Sequence, residues 1–258
     1  MQKLLGLMRR CVDDYRMIQP GDRIAVGVSG GKDSLTLLRL LHGLQKFYPA
    51  AFSLRAITID MGLGAMDFSP VAALCEQLQI PYTLVKTEIG PILFETRREK
   101  NPCSMCAKMR RGKLGEVLHA QGCNKIALGH HYDDAVETFL LSLLYEGRIS
   151  CFQPVTFLDR SGVTQIRPML YLSEKTIVGF ARQAQLPVVK NACPADHQTK
   201  RQEIKELIAQ LETAYPNLQT HLFGAMQRLP LPGWAPQQLR RRPLPDVSNI
   251  EFSDKNPV

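Results

Sequence analysis

Residues 25–34 read AVGVSGGKDS: an apolar, β-branched run that ends in two adjacent glycines, a lysine and two flanking serines. Gly30 and Gly31 let a ligand approach the backbone closely. The amides that open the next helix are unpaired donors, and Lys32 adds a point charge, so the loop suits phosphate. A plain strand-to-helix turn needs one glycine, but not two with a lysine and hydroxyls on both sides. Spelling excludes two familiar phosphate loops. A Walker A loop would read G-x-x-x-x-G-K-S/T, whereas Asp33 follows Lys32 and Val26 stands five before Gly31; the G-x-G-x-x-G of a dinucleotide loop is absent.

Outward from this loop, β-branched runs alternate with helical patterns. RIAVGVS leads into DSLTLLRLLHGLQKF, LRAITID into FSPVAALCEQLQI, YTLVKTEI into SMCAKMRRGKLGEVLHAQG, and KIALGH into DDAVETFLLSLLYEG. Helices of this length between strands imply right-handed crossovers and an α/β fold with a doubly wound parallel sheet. TQIRPML is a candidate fifth strand, and SEKTIVGFARQAQL a Ser-capped helix. Residues 198–226 read as two helices broken at YPN. The expected organisation is an N-terminal helix over 1–19, a nucleotide-binding domain with C-terminal helices over 20–228, and an irregular proline-rich tail over 229–258.

Composition narrows the class. The 258 residues are 45% hydrophobic, enough for one sizeable core, and the formal charge of +8 favours a polyanionic partner. The opening MQKLLGLMRRCVDDY is interrupted by Arg9 and Arg10 and has no small-residue cleavage site, so it does not read as a secretory signal. No stretch approaches the roughly 20 apolar residues of a membrane span. The expectation is a cytoplasmic protein whose seven cysteines are thiols or metal ligands rather than a disulfide framework.

The spelling SGGKDS resembles the PP-loop of the ATP pyrophosphatase superfamily, a Rossmann-like (adenine nucleotide alpha hydrolase-like) fold whose members cleave ATP between the α and β phosphates and adenylate a substrate. Such proteins carry an acidic residue after the second strand and another signature after the fourth. Here ITIDMG supplies Asp60, and LGHHYDDAVET supplies Gly129, His130, His131, Asp133 and Asp134. The resemblance implies phosphates on Ser29, Gly30, Gly31, Lys32, Asp33 and Ser34, and the adenine edge against Ala56, Ile57 and Thr58. Mg²⁺ would fall to Asp33 and Asp134, and Lys32, Asp33 and Asp134 would serve the chemistry. Asp133 and Asp134 also suit an ordinary acidic helix start.

The cysteines bear on the substrate. Cys103 and Cys106 form a C-x-x-C, and Cys193 stands far away in NACPADH. By spacing alone the pair is a redox couple, half of a zinc site completed by Cys193 and His197, part of an iron-sulfur site, or two buried thiols. Cys11, Cys75, Cys123 and Cys151 carry no spacing signal and read as small buried hydrophobes. In combination, SGGKDS, PCSMCAKMRRG, GHHYDD and a later cysteine before TKRQEIKELI resemble the tRNA 2-thiocytidine synthetase family over residues 20–228.

That resemblance implies an ATP-dependent sulfurtransferase acting on the cytidine at tRNA position 32, with Cys103, Cys106 and Cys193 holding a [4Fe-4S] cluster. Three cysteines leave one iron open to hydrosulfide. Adenylation would turn the C2 oxygen into a leaving group, and sulfur would displace AMP. A persulfide route through the same cysteines is the competing mechanism. Arg97, Arg98, Lys100, Lys108, Arg110, Arg111 and Lys113 flank the pair and are the candidate tRNA contacts, a solvated basic helix face being the plainer reading. The sulfur donor would be a cysteine desulfurase or free sulfide, and a homodimer is allowed. Paired C-x-x-C motifs at both termini, as in zinc-finger tRNA thiolases, are absent. GHHYDDAVETFLL also suits lysidine synthetases of the same superfamily, which need no cysteine trio, and a nucleotide-sensing or iron-sulfur binding module is a non-enzymatic alternative.

Overall fold

Alternating burial along the strands sets the architecture of the computed structural model, which describes residues 1–64, 66–96, 102–190, 192–193 and 200–228. The side chains of Pro102 and Cys103 are outside the described set, as are Arg97, Arg98, Lys100, His197 and the tail expected over 229–258. In β1 (Arg23–Gly27), Ile24 and Val26 enter one apolar cluster and Ala25 the other. In β2 (Ser53–Asp60), Leu54 and Ala56 likewise oppose Ile57. Both faces of the sheet are therefore covered, as a parallel sheet requires.

The six strands run in the order β3-β2-β1-β4-β6-β5, with β3 at Tyr82–Lys86, β4 at Lys125–Ala127, β5 at Val155–Leu158 and β6 at Val163–Ile166. All neighbours are parallel except β5, which pairs antiparallel with β6. The sequence pattern accounts for the parallel strands and the doubly wound fold but not for β5. Its Phe157 is exposed and its residues do not alternate cleanly, because an edge strand with a half-covered face has little periodicity to show. The β5–β6 hairpin closes through Gly162 at φ +58°.

The larger core lies under α1 (Gln2–Asp14), α2 (Lys32–Gln45), α3 (Ser69–Gln77), α6 (Tyr132–Glu146) and α7 (Glu174–Gln183), with α8 (Lys200–Ala214) and α9 (Leu218–Arg228) at its margin. Leu35, Leu37, Leu38, Leu40, Leu41 and Leu44 of α2 are fully enclosed, so this helix is apolar on nearly every side. The other face is closed by α5 (Pro102–Ala120), whose Leu118 packs with Ile126 and Val163. A single turn, α4 (Ile89–Pro91), and a π-helical turn over Ile92–Thr96 precede it. Strand order reverses between β1 and β4, and the crevice outside their carboxyl ends is where ligands bind in such sheets.

At the opposite edge, Asp22 and Lys125 form a buried ion pair of 2.6 Å. Lys125 Nζ also donates to the Met17 carbonyl at 2.9 Å, and Asp22 accepts from Asn124 Nδ2 at 2.8 Å and the Gln19 amide at 2.7 Å. Removing one partner strands the other charge. Asp22→Ala is expected to lower unfolding stability by about 3–5 kcal/mol in urea titrations, whereas the apolar double replacement Asp22→Leu with Lys125→Met should lose less.

Candidate active site

The glycine loop is tied to itself by its two serines. Ser34 Oγ accepts from the Ser29 amide at 3.1 Å and donates to the Gly31 carbonyl at 2.9 Å, and the Ser29 hydroxyl lies 3.3 Å from it. Gly30 takes φ +85°, which a side chain rarely tolerates, and a Cβ there would stand 3.0 Å from that of Val189. Gly31 is the N-cap of α2 and offers no side-chain cap. The first amides of α2 are therefore open donors at the positive end of a buried helix, the arrangement that binds phosphate.

The second signature meets this loop directly. A Cβ on Gly129 would fall 3.1 Å from the Asp33 carbonyl carbon and 3.2 Å from the Ser34 nitrogen, so any side chain there would press the two turns apart by a few tenths of an ångström. His131, 4% exposed, caps α6, and Asp134 returns the bond by accepting from the His131 amide at 2.9 Å. The His131 ring sits among carboxylates: Nδ1 is 3.4 Å from Asp133, and Nε2 is 3.4 Å from Asp134 and 3.9 Å from Asp33. Burial disfavours the imidazolium, yet Asp133, Asp134 and Asp33 outweigh it and raise the His131 pKa above its ordinary value. Asp133 also accepts from the Glu174 amide at 2.6 Å. Asp33 Oδ1, in contrast, is buried without a hydrogen bond.

His130 differs from its neighbour. Burial first, and then the Arg167 charge, push its pKa down to about 4. Its ring packs 4.9 Å from Phe152, and the Arg167 guanidinium lies 4.7 Å over the other ring. Arg167 is itself lowered to about 10 by burial. It donates to the Gln153 carbonyl and to Thr156, bracing the loop before β5.

Four charged side chains gathered at this edge, Glu174, Lys205, Arg201 and Glu137, were not singled out by the sequence reading. Lys32 Nζ lies 3.1 Å from Asp33 and 3.0 Å from Glu174, the first residue of α7. The same carboxylate meets Lys205 of α8 at 2.5 Å. Arg201 of α8 donates to the buried Glu137 at 2.9 Å and to Thr138 at 3.0 Å, and stands 3.6 Å from Asp134. The only signals were the Ser173 cap and the charge-rich KRQEIKELI, neither of which names a partner.

At β2, the Ala56 amide donates to the Pro81 carbonyl, the Ile57 carbonyl accepts from the Val28 amide, and the Thr58 hydroxyl donates to the Val28 carbonyl. The backbone groups at Ala56 and Ile57 are thus taken up within the sheet. The part of β2 that reaches the open edge is Asp60, whose Oδ1 accepts from the Gly62 amide at 3.0 Å.

Cys106 is half-buried on α5 near its start, where Cys103 also falls in sequence, and Cys193 is half-buried on the segment after α7. That segment is pinned at the loop, since the Val189 amide donates to the Gly30 carbonyl at 3.0 Å. Burial raises Cys75 to about 11 and Cys151 to about 12, and pushes Cys11 and Cys123 upward as well. Lys108, Arg110 and Arg111 are exposed on α5, and Lys113 pairs with Glu116 at 2.8 Å. Among the described residues no three His, Cys, Asp or Glu side chains converge to hold a metal ion.

Residues 6–212 match the PP-loop domain family. Over 230 residues the chain is 39% identical to the tRNA-cytidine(32) 2-sulfurtransferase of Geobacter sulfurreducens, covering 87% of this chain and 89% of that protein. It is 38% identical to the enzyme of that name from Geobacter metallireducens over 96% of each chain, and 32% identical to that of Pseudomonas putida over 98% of this chain and 91% of the relative. Among solved structures, the U34-tRNA thiolase NcsA from Methanococcus maripaludis, with its [4Fe-4S] cluster, superposes with a TM-score of 0.69 at 25% identity, covering 84% of this chain and 75% of that one. With loop, second signature and cysteine motif in one chain of matching length, this protein belongs to the PP-loop domain family and, within it, to the tRNA-cytidine(32) 2-sulfurtransferases.

Proposed function

We propose that the protein thiolates the cytidine at tRNA position 32 to 2-thiocytidine, consuming ATP and releasing AMP and pyrophosphate. The observation that carries this reading is the meeting of an open helix N-terminus, a free buried carboxylate oxygen on Asp33, and a cysteine-bearing segment pinned to the same loop.

ATP lies along the crevice with its phosphates on Ser29–Ser34 and its nucleoside toward Asp60. Gly129 and His130 form the wall on the β4 side. The base's C2 oxygen attacks the α-phosphorus and pyrophosphate leaves; a sulfide equivalent then attacks C2, and AMP departs with the oxygen. The α2 amides and Lys32 meet the negative charge that accumulates on the phosphates. Asp33 fits a Mg²⁺ ligand, because its Oδ1 is buried and accepts no hydrogen bond. One carboxylate completed by phosphate and water suffices for that ion. Asp134 has a second duty, since one oxygen caps α6 and the other faces Arg201. The carboxylates of Asp133, Asp134 and Asp33 favour the charged form of His131 against its burial, and the ring stands between the two turns.

The donor chemistry of Cys103, Cys106 and Cys193 fits an iron-sulfur cluster better than zinc, which would require His197 as a further ligand. Bound there, a [4Fe-4S] cluster supplies an iron without a protein ligand for the incoming sulfide, delivered free or by a cysteine desulfurase. Lys108, Arg110 and Arg111, exposed on the helix that begins at the cysteine pair, are the candidate contacts for the anticodon loop's phosphates. No helix among the described residues is long and apolar enough to cross a membrane, and a cytoplasmic setting accords with a tRNA substrate.

Asp33→Asn and Lys32→Ala are expected to cut RNA-dependent pyrophosphate release by about 10²–10³-fold with melting temperature unchanged; turnover near the parent level in either variant contradicts the site. Anaerobically purified protein should carry about four irons per chain. Cys103→Ala, Cys106→Ala and Cys193→Ala should each lose iron and thiolation together, and a variant that thiolates normally without iron would favour the persulfide route. Cys11, Cys75 and Cys151, whose thiolates burial suppresses, should resist iodoacetamide in the native protein and react once it is unfolded. Peptide mapping after labelling in each state reads the difference.

A further inference from the structure

Glu174 carries two ammonium groups on one carboxylate. Its Oε1 lies 3.0 Å from Lys32 Nζ on the phosphate loop, and its Oε2 lies 2.5 Å from Lys205 Nζ on α8. Burial disfavours both ammonium charges. Contact with Glu174, and with Asp33 in the case of Lys32, overrides that penalty, so both lysines stay protonated although Lys205 feels the like charge of Lys32. The carboxylate is anchored in turn: its helix is capped by Ser173, and its own amide is held by Asp133 beside His131.

Two ammonium groups thus meet on one carboxylate, and one of them, Lys32, belongs to the first turn of α2, whose leading amides are open. Asp33 also touches Lys32, and Lys205 lies in the field of Glu137, so both ammonium groups are held charged at this edge. A monophosphate at the loop needs only the α2 amides and Lys32. A second, fixed ammonium belongs where more charge gathers, on the β- and γ-phosphates as the α–β bond breaks.

We propose that Lys205 is a second pyrophosphate-binding residue, aligned with Lys32 by Glu174, so that the two ammonium groups together hold the β- and γ-phosphates of ATP as they leave. The inference rests on the nucleotide reading given above. As the base oxygen bonds to the α-phosphorus, the α–β phosphoanhydride bond breaks. Its electron pair stays on the bridging oxygen, which departs with pyrophosphate, and the added negative charge is met by Lys205 and Lys32. Glu174 is the positioning residue; it touches the lysines and not the phosphates.

The test is titration of the full-length protein with ATP, AMP and inorganic pyrophosphate, each with Mg²⁺ at one ionic strength. Lys205→Ala should weaken pyrophosphate binding about tenfold or more, the loss of one charge-assisted contact, while AMP affinity moves by less than about twofold. Lys205→Arg should keep most of the pyrophosphate affinity. Unchanged pyrophosphate binding in Lys205→Ala, or equal losses for AMP and pyrophosphate, overturns the role of Lys205 while leaving the nucleotide site standing. A parent protein that binds none of the three overturns the nucleotide reading and this inference with it. Lys205→Arg also guards against misfolding, since an arginine variant that melts like the parent yet binds pyrophosphate no better than Lys205→Ala refutes the charge argument.

Discussion

The site depends on one close approach. The turn after β4 crosses the phosphate loop so tightly that a Cβ on Gly129 would press within 3.1 Å of the Asp33 backbone. Because the two turns touch, the N-termini of α2 and α6 converge on one spot. Two helix N-termini aimed together make a strongly anion-attracting corner, and carboxylates placed in that corner need partners. His131 answers Asp33, Asp133 and Asp134 at once, which explains why a buried imidazole keeps a raised pKa there.

From that corner the charges spread in an ordered way. Asp133 passes the constraint to α7 through the Glu174 amide, and Glu174 passes it to α8 through Lys205. Arg201, one turn earlier on α8, returns to α6 through Glu137. The C-terminal helices are thus fastened to the nucleotide corner by ion pairs among partly sheltered groups rather than by apolar packing alone. Such pairs are stronger where water is excluded than they would be on an open surface.

Much of this was legible in the sequence, for identifiable reasons. SGGKDS needs Gly30 for its positive φ and its serines to close the loop; both demands are local, so spelling reveals them. The parallel strands announced themselves as apolar runs between amphipathic helices. The edge strand β5 did not, because its half-covered residues leave no period. Nor did Glu174, Arg201 or Lys205, whose meaning lies in partners distant along the chain. The backbone at Ala56 and Ile57 shows the converse: strand identity was readable, but which peptide groups the sheet consumes depends on pairing with β1 and β3. Gly129 was read as part of a signature, whereas its physical task, making room for the Asp33 peptide, is a tertiary fact.

The hydrogen bond from the Val189 amide to the Gly30 carbonyl ties the phosphate loop to the segment that follows α7. Gly30 lies in a conformation that suits glycine, with Val189 packed where its side chain would be. A side chain at position 30 would therefore disturb not only the phosphate loop but also the segment after α7 that is bonded to it.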